Sequence, residues 1–332
     1  FVAPFCISKR ASQWLVALID VASEVSPLCV RRVLQAHGSC GRVELFASAL
    51  MRPVRWASVL SAVGSSEHIR SLQLYEPPAR AISAVPVPAL APRLQSFAAF
   101  DVYLDEGEDA CIDIGHLSGL SSLRELAVDA PVPFDLPPFS MSGPISQLGS
   151  LSQLRVLELH DLEDRACVSA RFLGGLTGLS RLSVGSCRLW GAAEFDELAT
   201  LSQLCSLELR FLGVELLEDE EATYSLARAL KSLKSLQVLE FFECILPPKL
   251  AEGRSACTSI KRLVIHGAQD SPDAEFFPHM DRALLQPLAS CTFLQQLEWR
   301  LSPSRYTDLT GHVEDALMSA LGNTSISLLE LA

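Results

Sequence analysis

The stretch Leu173-Gly-Gly-Leu176-Thr-Gly-Leu179-Ser-Arg-Leu182-Ser-Val184-Gly-Ser-Cys187-Arg-Leu189 changes its apolar spacing partway along. From Leu173 to Leu182 a leucine falls every third residue, which suits a helix or 3₁₀ turn. Leu182 and Val184 then lie two apart, so they point to the same side of a strand. One short unit therefore predicts a return segment feeding a strand.

The strand half of this unit recurs. Three apolar residues at offsets 0, 3 and 5 appear at Leu123-Leu126-Val128, Leu154-Leu157-Leu159, Leu179-Leu182-Val184 and Leu204-Leu207-Leu209. They continue at Leu236-Leu239-Phe241, Ile260-Leu263-Ile265, Leu294-Leu297-Trp299 and Ile326-Leu329-Leu331. Weaker copies lie at Ile69-Leu72-Leu74 and Leu94-Phe97-Ala99, with a further trace at Val43 and Phe46. The nine steps from Ile69 to Ile326 give a mean period of about 28.6 residues. A unit this short cannot bury its apolar face alone, so successive units must stack into a solenoid around a parallel sheet.

With Cys187 and Leu189, and again with Cys244 and Leu246 after Leu236-Leu239-Phe241, the pattern resembles the leucine-rich repeat, L-x-x-L-x-L-x-x-N/C-x-L. The resemblance covers residues 69 to 332. It implies an α/β fold: a horseshoe solenoid with one curved parallel sheet on the concave face and helical or irregular convex returns. The single asparagine, Asn323, means that the Asn ladder of many extracellular repeats is missing. Cys187 and Cys244 stand in its place, as in the cysteine-containing and ribonuclease-inhibitor-like intracellular types. The phrase from Ser142 to Leu154 instead resembles the plant receptor type.

Ends and insertions complete the expected organisation. Residues 1–42 are read as a helical N-terminal cap, with two short helices between Ser12 and Gln35 broken at Pro27, and residues 43–332 as about ten repeats. The chain begins at Phe1 rather than Met, and Leu331-Ala332 falls inside a repeat strand; both predict a fragment, truncated at the C-terminus. The proline-rich stretches Pro77–Pro92 and Pro131–Pro144 are expected as extended coil on the convex side. Thr223 to Ser235, with Leu226, Leu230 and Leu233 at spacings of four and three, is the clearest helix.

Composition sets the function classes. The 332 residues are 49% apolar and 20% charged, enough to build a large core. No run reaches the ~18 apolar residues of a membrane span; the best stretch, Trp14 to Ala22, carries Asp20. A net charge of -12 argues against nucleic acid and against binding through phosphate contacts. Yet residues 1–99 hold ten Lys/Arg and five acids, so a basic N-terminal part precedes an acidic body. The ten cysteines form no C-x-x-C and sit among apolar positions, as reduced thiols do in an intracellular (cytoplasmic or nuclear) protein.

Signatures of chemistry are missing from the sequence. There is no G-x-S-x-G, P-loop, G-x-G-x-x-G or H-E-x-x-H, so no catalytic, cofactor-binding or metal-ligating residue is expected. The acidic run Asp101–Asp113 lacks calcium-loop spacing and reads as a solvated insertion. Glu218 to Glu221 precede the helix at Thr223, where acids complement the helix dipole.

The sheet face is more informative. The residue between the last two repeat positions faces away from the core, and it reads Ala127, Glu158, Ser183, Glu208, Glu240, Val264, Glu298, Glu330. Two residues on, the same face presents Asp129, His160, Gly185, Arg210, Phe242, His266, Arg300. At about 4.8 Å between strands these become adjoining acidic and basic or aromatic columns. The expected protein-binding set is Glu158, His160, Glu208, Arg210, Glu240, Phe242, His266, Glu298 and Arg300. Its partner would be another protein with a basic patch, bound by a monomeric module. A solvated, self-paired face is the competing reading.

The resemblance then implies a non-enzymatic recognition module. One form is the substrate-binding part of an F-box-type ubiquitin-ligase receptor, although no F-box pattern is visible in residues 1–60. The alternatives are a regulator of an enzyme, either a GTPase activator or an inhibitor of the ribonuclease-inhibitor type, and an extracellular receptor ectodomain.

Overall fold

The computed structural model describes residues 5–9, 15–20, 27–36, 40–46, 53–103, 113–130, 145–160, 170–185, 190–210, 219–242, 244, 259–266, 294–300 and 328–331. The chain divides into two compact units, Phe1–Val168 and Ser169–Ala332.

In the first unit the strands are β1 (Phe5–Lys9), β2 (Leu15–Asp20), β3 (Cys40–Phe46), β4 (Ser71–Tyr75), β5 (Ser96–Phe100), β6 (Glu125–Asp129) and β7 (Val156–His160). β1 and β2 form an antiparallel hairpin, and from β2 to β7 each strand pairs in parallel with the next. The second unit holds β8 (Arg181–Val184), β9 (Ser206–Arg210), β10 (Val238–Phe242), β11 (Arg262–His266), β12 (Gln296–Arg300) and β13 (Leu328–Leu331), also parallel and in chain order. The offset-3 and offset-5 residues of all ten triplets lie on β4 to β13, and within each unit the offset-3 residue of a strand is opposite that of its neighbour.

The register explains the core. Leu123, Leu154, Leu179, Leu204 and Leu236 are all buried, as are Leu126, Leu157, Leu182, Leu207 and Leu239 behind them. Opposite these residues run the returns. In the first unit they are the helices α1 (Pro27–Ala36), α2 (Pro53–Gly64), α3 (Ala79–Ser83) and α4 (Val87–Leu90), then 3₁₀ turns at Gly115–Gly119 and Ile145–Ser150. In the second they are a 3₁₀ turn at Ala170–Gly175, then α5 (Ala192–Leu198) and α6 (Glu220–Ser232). Successive returns pack on one another within each unit, so each repeat buries both its strand and its return.

The strand and turn ends are fastened locally. A single carbonyl before each strand accepts two amide hydrogens from the next repeat: Arg70 O from Gln95 N at 2.7 Å and Ser96 N at 3.0 Å, and Cys205 O from Gln237 N at 2.8 Å and Val238 N at 3.0 Å. α6 starts at Asp219, whose carboxylate accepts from Ala222 N at 2.9 Å, and Glu220 and Glu221 sit in its first turn. The buried Cys244 thiol donates toward Leu209 O of the preceding repeat at 3.3 Å, filling the motif's N/C position. Cys187 lies outside the described residues.

Four expectations need correction. Leu15–Asp20, read as helix within a helical cap, is strand β2; a short continuous apolar run containing Val16 and Ile19 carries no period that separates helix from strand. α1 is the helix of that segment, and the parallel ladder begins upstream of residue 43. The stretch Pro77–Pro92 is not extended coil but forms α3 and α4, because Pro78, Pro86 and Pro88 stand before or within a first turn, where a missing N–H costs nothing. Phe46 is not a core position: Val43 and Leu45 are buried and Phe46 faces outward, 37% exposed. The Pro131–Pro144 return and most of the acidic run lie outside the described residues.

Candidate protein-binding surface

The outward sheet face of the second unit is built by three columns fixed by strand register. The middle column is Ser183, Glu208, Glu240, Val264, Glu298 and Glu330, and the column toward the strand ends is Arg210, Phe242, His266 and Arg300. On the other side run Arg181, Ser206, Val238, Arg262 and Gln296.

These side chains form one connected strip. Arg210 Nε donates to Glu208 Oε1 at 2.6 Å, and its guanidinium lies 5.2 Å from the Phe242 ring centre. The Phe242 ring meets His266 edge-on at 4.3 Å. His266 Nε2 is 3.4 Å from Glu298 Oε1. Arg262 stands between two carboxylates, 2.8 Å from Glu240 Oε1 and 3.7 Å from Glu298 Oε2, across the small apolar Val264. Glu208 and Glu240 are directly opposite in register. Burial, together with the neighbouring Glu208 and Glu298 charges, raises the Glu240 pKa, against the pull of Arg262 and Arg181.

Two sequence expectations change here. The middle column is not exposed: Ser183 and Val264 are buried, and Glu208 and Glu298 are only 7% and 8% accessible. Neighbouring side chains at strand spacing cover it. Phe242 also has a packing reason to be where it is, lying between Arg210 and His266. Within the face Glu208 pairs with Arg210, and Glu298 reaches Arg262 and His266. The side chain of Arg300 lies outside the described set.

The structure does not bring the expected residues into one unit. Glu158 and His160 lie on β7 of the first unit, opposite Ala127 and Asp129, while the other seven are in the second. The first unit also holds outward residues that the column reading, begun at Ala127, passed over. Phe46, Tyr75 and Phe100 occupy the position that Phe242 holds. Phe46 stacks on Tyr75 with centres 4.5 Å apart and planes at 5°, and Tyr75 on Phe100 at 5.4 Å. Running the offset-6 position upstream through Val43, Leu72 and Phe97 would have found all three.

Among the described residues no group of three or more His, Cys, Asp or Glu is arranged to hold a metal ion, and no helix is long and apolar enough to cross a membrane.

No family model and no curated protein matches the chain. Among solved structures it is similar to TLR13 in the TLR13-ssRNA13 complex, with 14% identity and a TM-score of 0.50 over 95% of this chain. The chain spans only 43% of that chain's length. A Bacteroides fragilis protein aligns at 11% identity and a TM-score of 0.42, over 82% of this chain and 69% of that one. The repeats, their parallel strands and the likeness to TLR13 agree: the fold is an α/β leucine-rich-repeat solenoid.

Proposed function

We propose that this chain is a non-enzymatic recognition module that binds a partner protein through its outward sheet face. The strip Glu208, Arg210, Glu240, Phe242, His266 and Glu298 would be central, with Arg300 on β12, and with Glu158 and His160 as a separate contribution from β7. The partner would present a basic patch.

The observation that carries this reading is the cross-strand Glu208–Glu240 pair. Like charges directly opposite on neighbouring strands destabilise a sheet, and here the Glu208 charge adds to burial, the larger cause, in raising the Glu240 pKa. Arg210 and Arg262 each pair with one of these carboxylates, and a basic partner would offset the repulsion that is left between them. Aromatic and Arg side chains such as Phe242 and Arg210 are frequent interface anchors.

The finer forms follow the same surface. A ubiquitin-ligase substrate receptor and an enzyme regulator would both use it, and what they do with the bound protein is set elsewhere. The thiols of Cys29 and Cys205 support an intracellular setting, and the Cys244 bond to Leu209 supports the cysteine-containing repeat type. The likeness to a chain in complex with ssRNA raises nucleic acid as a second reading. The net charge of -12 and the carboxylates of the strip weigh against it.

Affinity capture followed by cross-linking tests the proposal. The wild-type chain should retrieve a protein whose cross-links map to β9–β12, and Phe242→Ala together with Glu240→Gln should lose it. Cross-links confined to the returns or to Arg31, Arg32, Arg52 and Arg55 would make the assignment wrong.

A further inference from the structure

The outward face of the first unit carries a cleft of about 330 Å³ at the entry ends of β3 to β6, lined by Gly41, Arg42, Arg70, Ser71, Gln73, Gln95, Ser96, Arg124 and Glu125. Its origin is in the repeat. Arg42, Ser71, Ser96 and Glu125 are register partners on four successive strands, so two small serines form a floor between two long side chains. Arg70 and Arg124 enter from the residue preceding β4 and β6, two strands apart, at roughly 10 Å.

Charge and hydrogen bonding in this cleft differ from those of the second-unit strip. Three arginines, Arg42, Arg70 and Arg124, line the cleft with the carboxylate of Glu125, and Glu44 pairs with Arg42. Arg42 is held toward the cleft by Glu44 at 2.8 Å and Gln73 at 2.7 Å. Arg70 is fixed through the carbonyls of Glu67 and Ile69, and Arg124 is exposed. Nearby Arg93 has its pKa lowered by burial and by the charge of Arg70, a sign of crowded positive charge. Preorganised guanidinium forks suit oxyanions.

Four residues further along the same strands lies the stack Phe46–Tyr75–Phe100. Gln73 ties the two features together, accepting from Arg42 and, at 3.0 Å, from the Tyr75 hydroxyl. One face each of Phe46 and Tyr75 is covered by the other ring, and Phe46 still leaves apolar ring surface at the solvent. The net charge of -12 disfavours a run of phosphates, so an apolar side chain suits the stack better than a base.

We propose that this face binds an extended peptide that places an oxyanion side chain, a phosphoryl group or an Asp/Glu carboxylate, in the Arg42–Arg70–Arg124 cleft and an apolar side chain on the aromatic stack. The two anchors are about 13 Å apart, four residues of extended peptide. The site lies wholly within the first unit and does not rest on the second-unit strip.

The test uses the full chain and three fluorescent nonapeptides identical except at position 3 (phosphoserine, Asp or Ser), each with Leu at position 7. Inorganic phosphate and a dT8 oligonucleotide serve as competitors. Anisotropy should show binding of the phosphoserine or Asp peptide, at least tenfold tighter than the Ser peptide, and the ratio between the first two identifies the source of the oxyanion. Arg124→Glu, at an exposed position, should weaken binding at least tenfold with an unchanged melting temperature. Glu125→Gln should tighten it. Phe46→Ala should weaken it for the Leu peptide but not for a version with Gly at position 7. Binding of none of the three peptides, equal binding of all three, or an unchanged affinity in Arg124→Glu would overturn the proposal. Displacement by dT8 below the peptide's own concentration would replace it with a nucleic-acid site.

Discussion

The outward faces of β3–β5 and β9–β12 are made on the same backbone and differ in the charge and the rings they present. Both present side chains in columns fixed by parallel register, over inward residues that are almost all buried. On β3–β5 the column toward the strand ends is three rings packed on one another, and the entry side is an arginine cleft floored by serines. On β9–β12 the corresponding column alternates Arg, Phe and His, and the middle column is a line of carboxylates broken by Val264. The inward positions carry the fold, while the outward positions choose the sign of the charge. Sites on a repeat protein can therefore be opposite in character without any change in architecture.

The largest expected effect breaks the part that the two regions share. Leu72→Ala in the first unit and Leu207→Ala in the second, both fully buried, should each cost about 2–5 kcal/mol in urea denaturation. A loss under about 1 kcal/mol at either site would show that the repeat leucine there is not core.

The next effect separates the faces. Glu208→Ala leaves Arg210 without its 2.6 Å partner and opens the buried middle column, so it should cost about 1–3 kcal/mol. The change Phe46→Ala, in the strand-end column of the first unit and at an exposed ring, should stay within about 1 kcal/mol. Equal losses would mean that the two faces are packed alike.

A smaller effect concerns α6, which backs the acidic strip. Asp219→Ala removes the acceptor of the Ala222 amide and should cost about 1 kcal/mol, measured as a lowered urea midpoint.

The fold was legible because its signal is periodic. A period-three run turning into a period-two pair, ten times over, leaves a strand-and-return solenoid as the arrangement that buries every copy. What the sequence hid lies where periodicity is silent. Leu15–Asp20 is apolar at nearly every position, so it fits a strand or a helix equally until β3 is there to pair with it. Pro77–Pro92 looks unfit for helices until Pro78, Pro86 and Pro88 are seen at first turns. Column membership on the outward face could be read from offsets alone, and Glu208, Glu240, Phe242 and His266 fall where the offsets put them. Burial could not be read, because the accessibility of Glu208 depends on how far Arg210 and its neighbours reach across the strands. The Phe46–Tyr75–Phe100 stack was missed for a simpler reason: the weak upstream triplets were not extended to their outward positions.

The most direct test of the central claim, that Glu240 in the carboxylate column of the second unit is kept for binding rather than for stability, is the thermal stability of Glu240→Gln measured from pH 4 to 8 beside its partner capture. The Glu240 pKa is raised in the folded chain, so the folded state holds this proton more tightly and the wild type should lose stability as pH rises through that pKa. For a half-buried group the loss should be under about 1 kcal/mol. The account predicts that Glu240→Gln flattens this pH dependence, equals or exceeds the wild type in stability at pH 7, and loses the partner. A Glu240→Gln chain that is less stable at pH 7 and still captures the partner would contradict it.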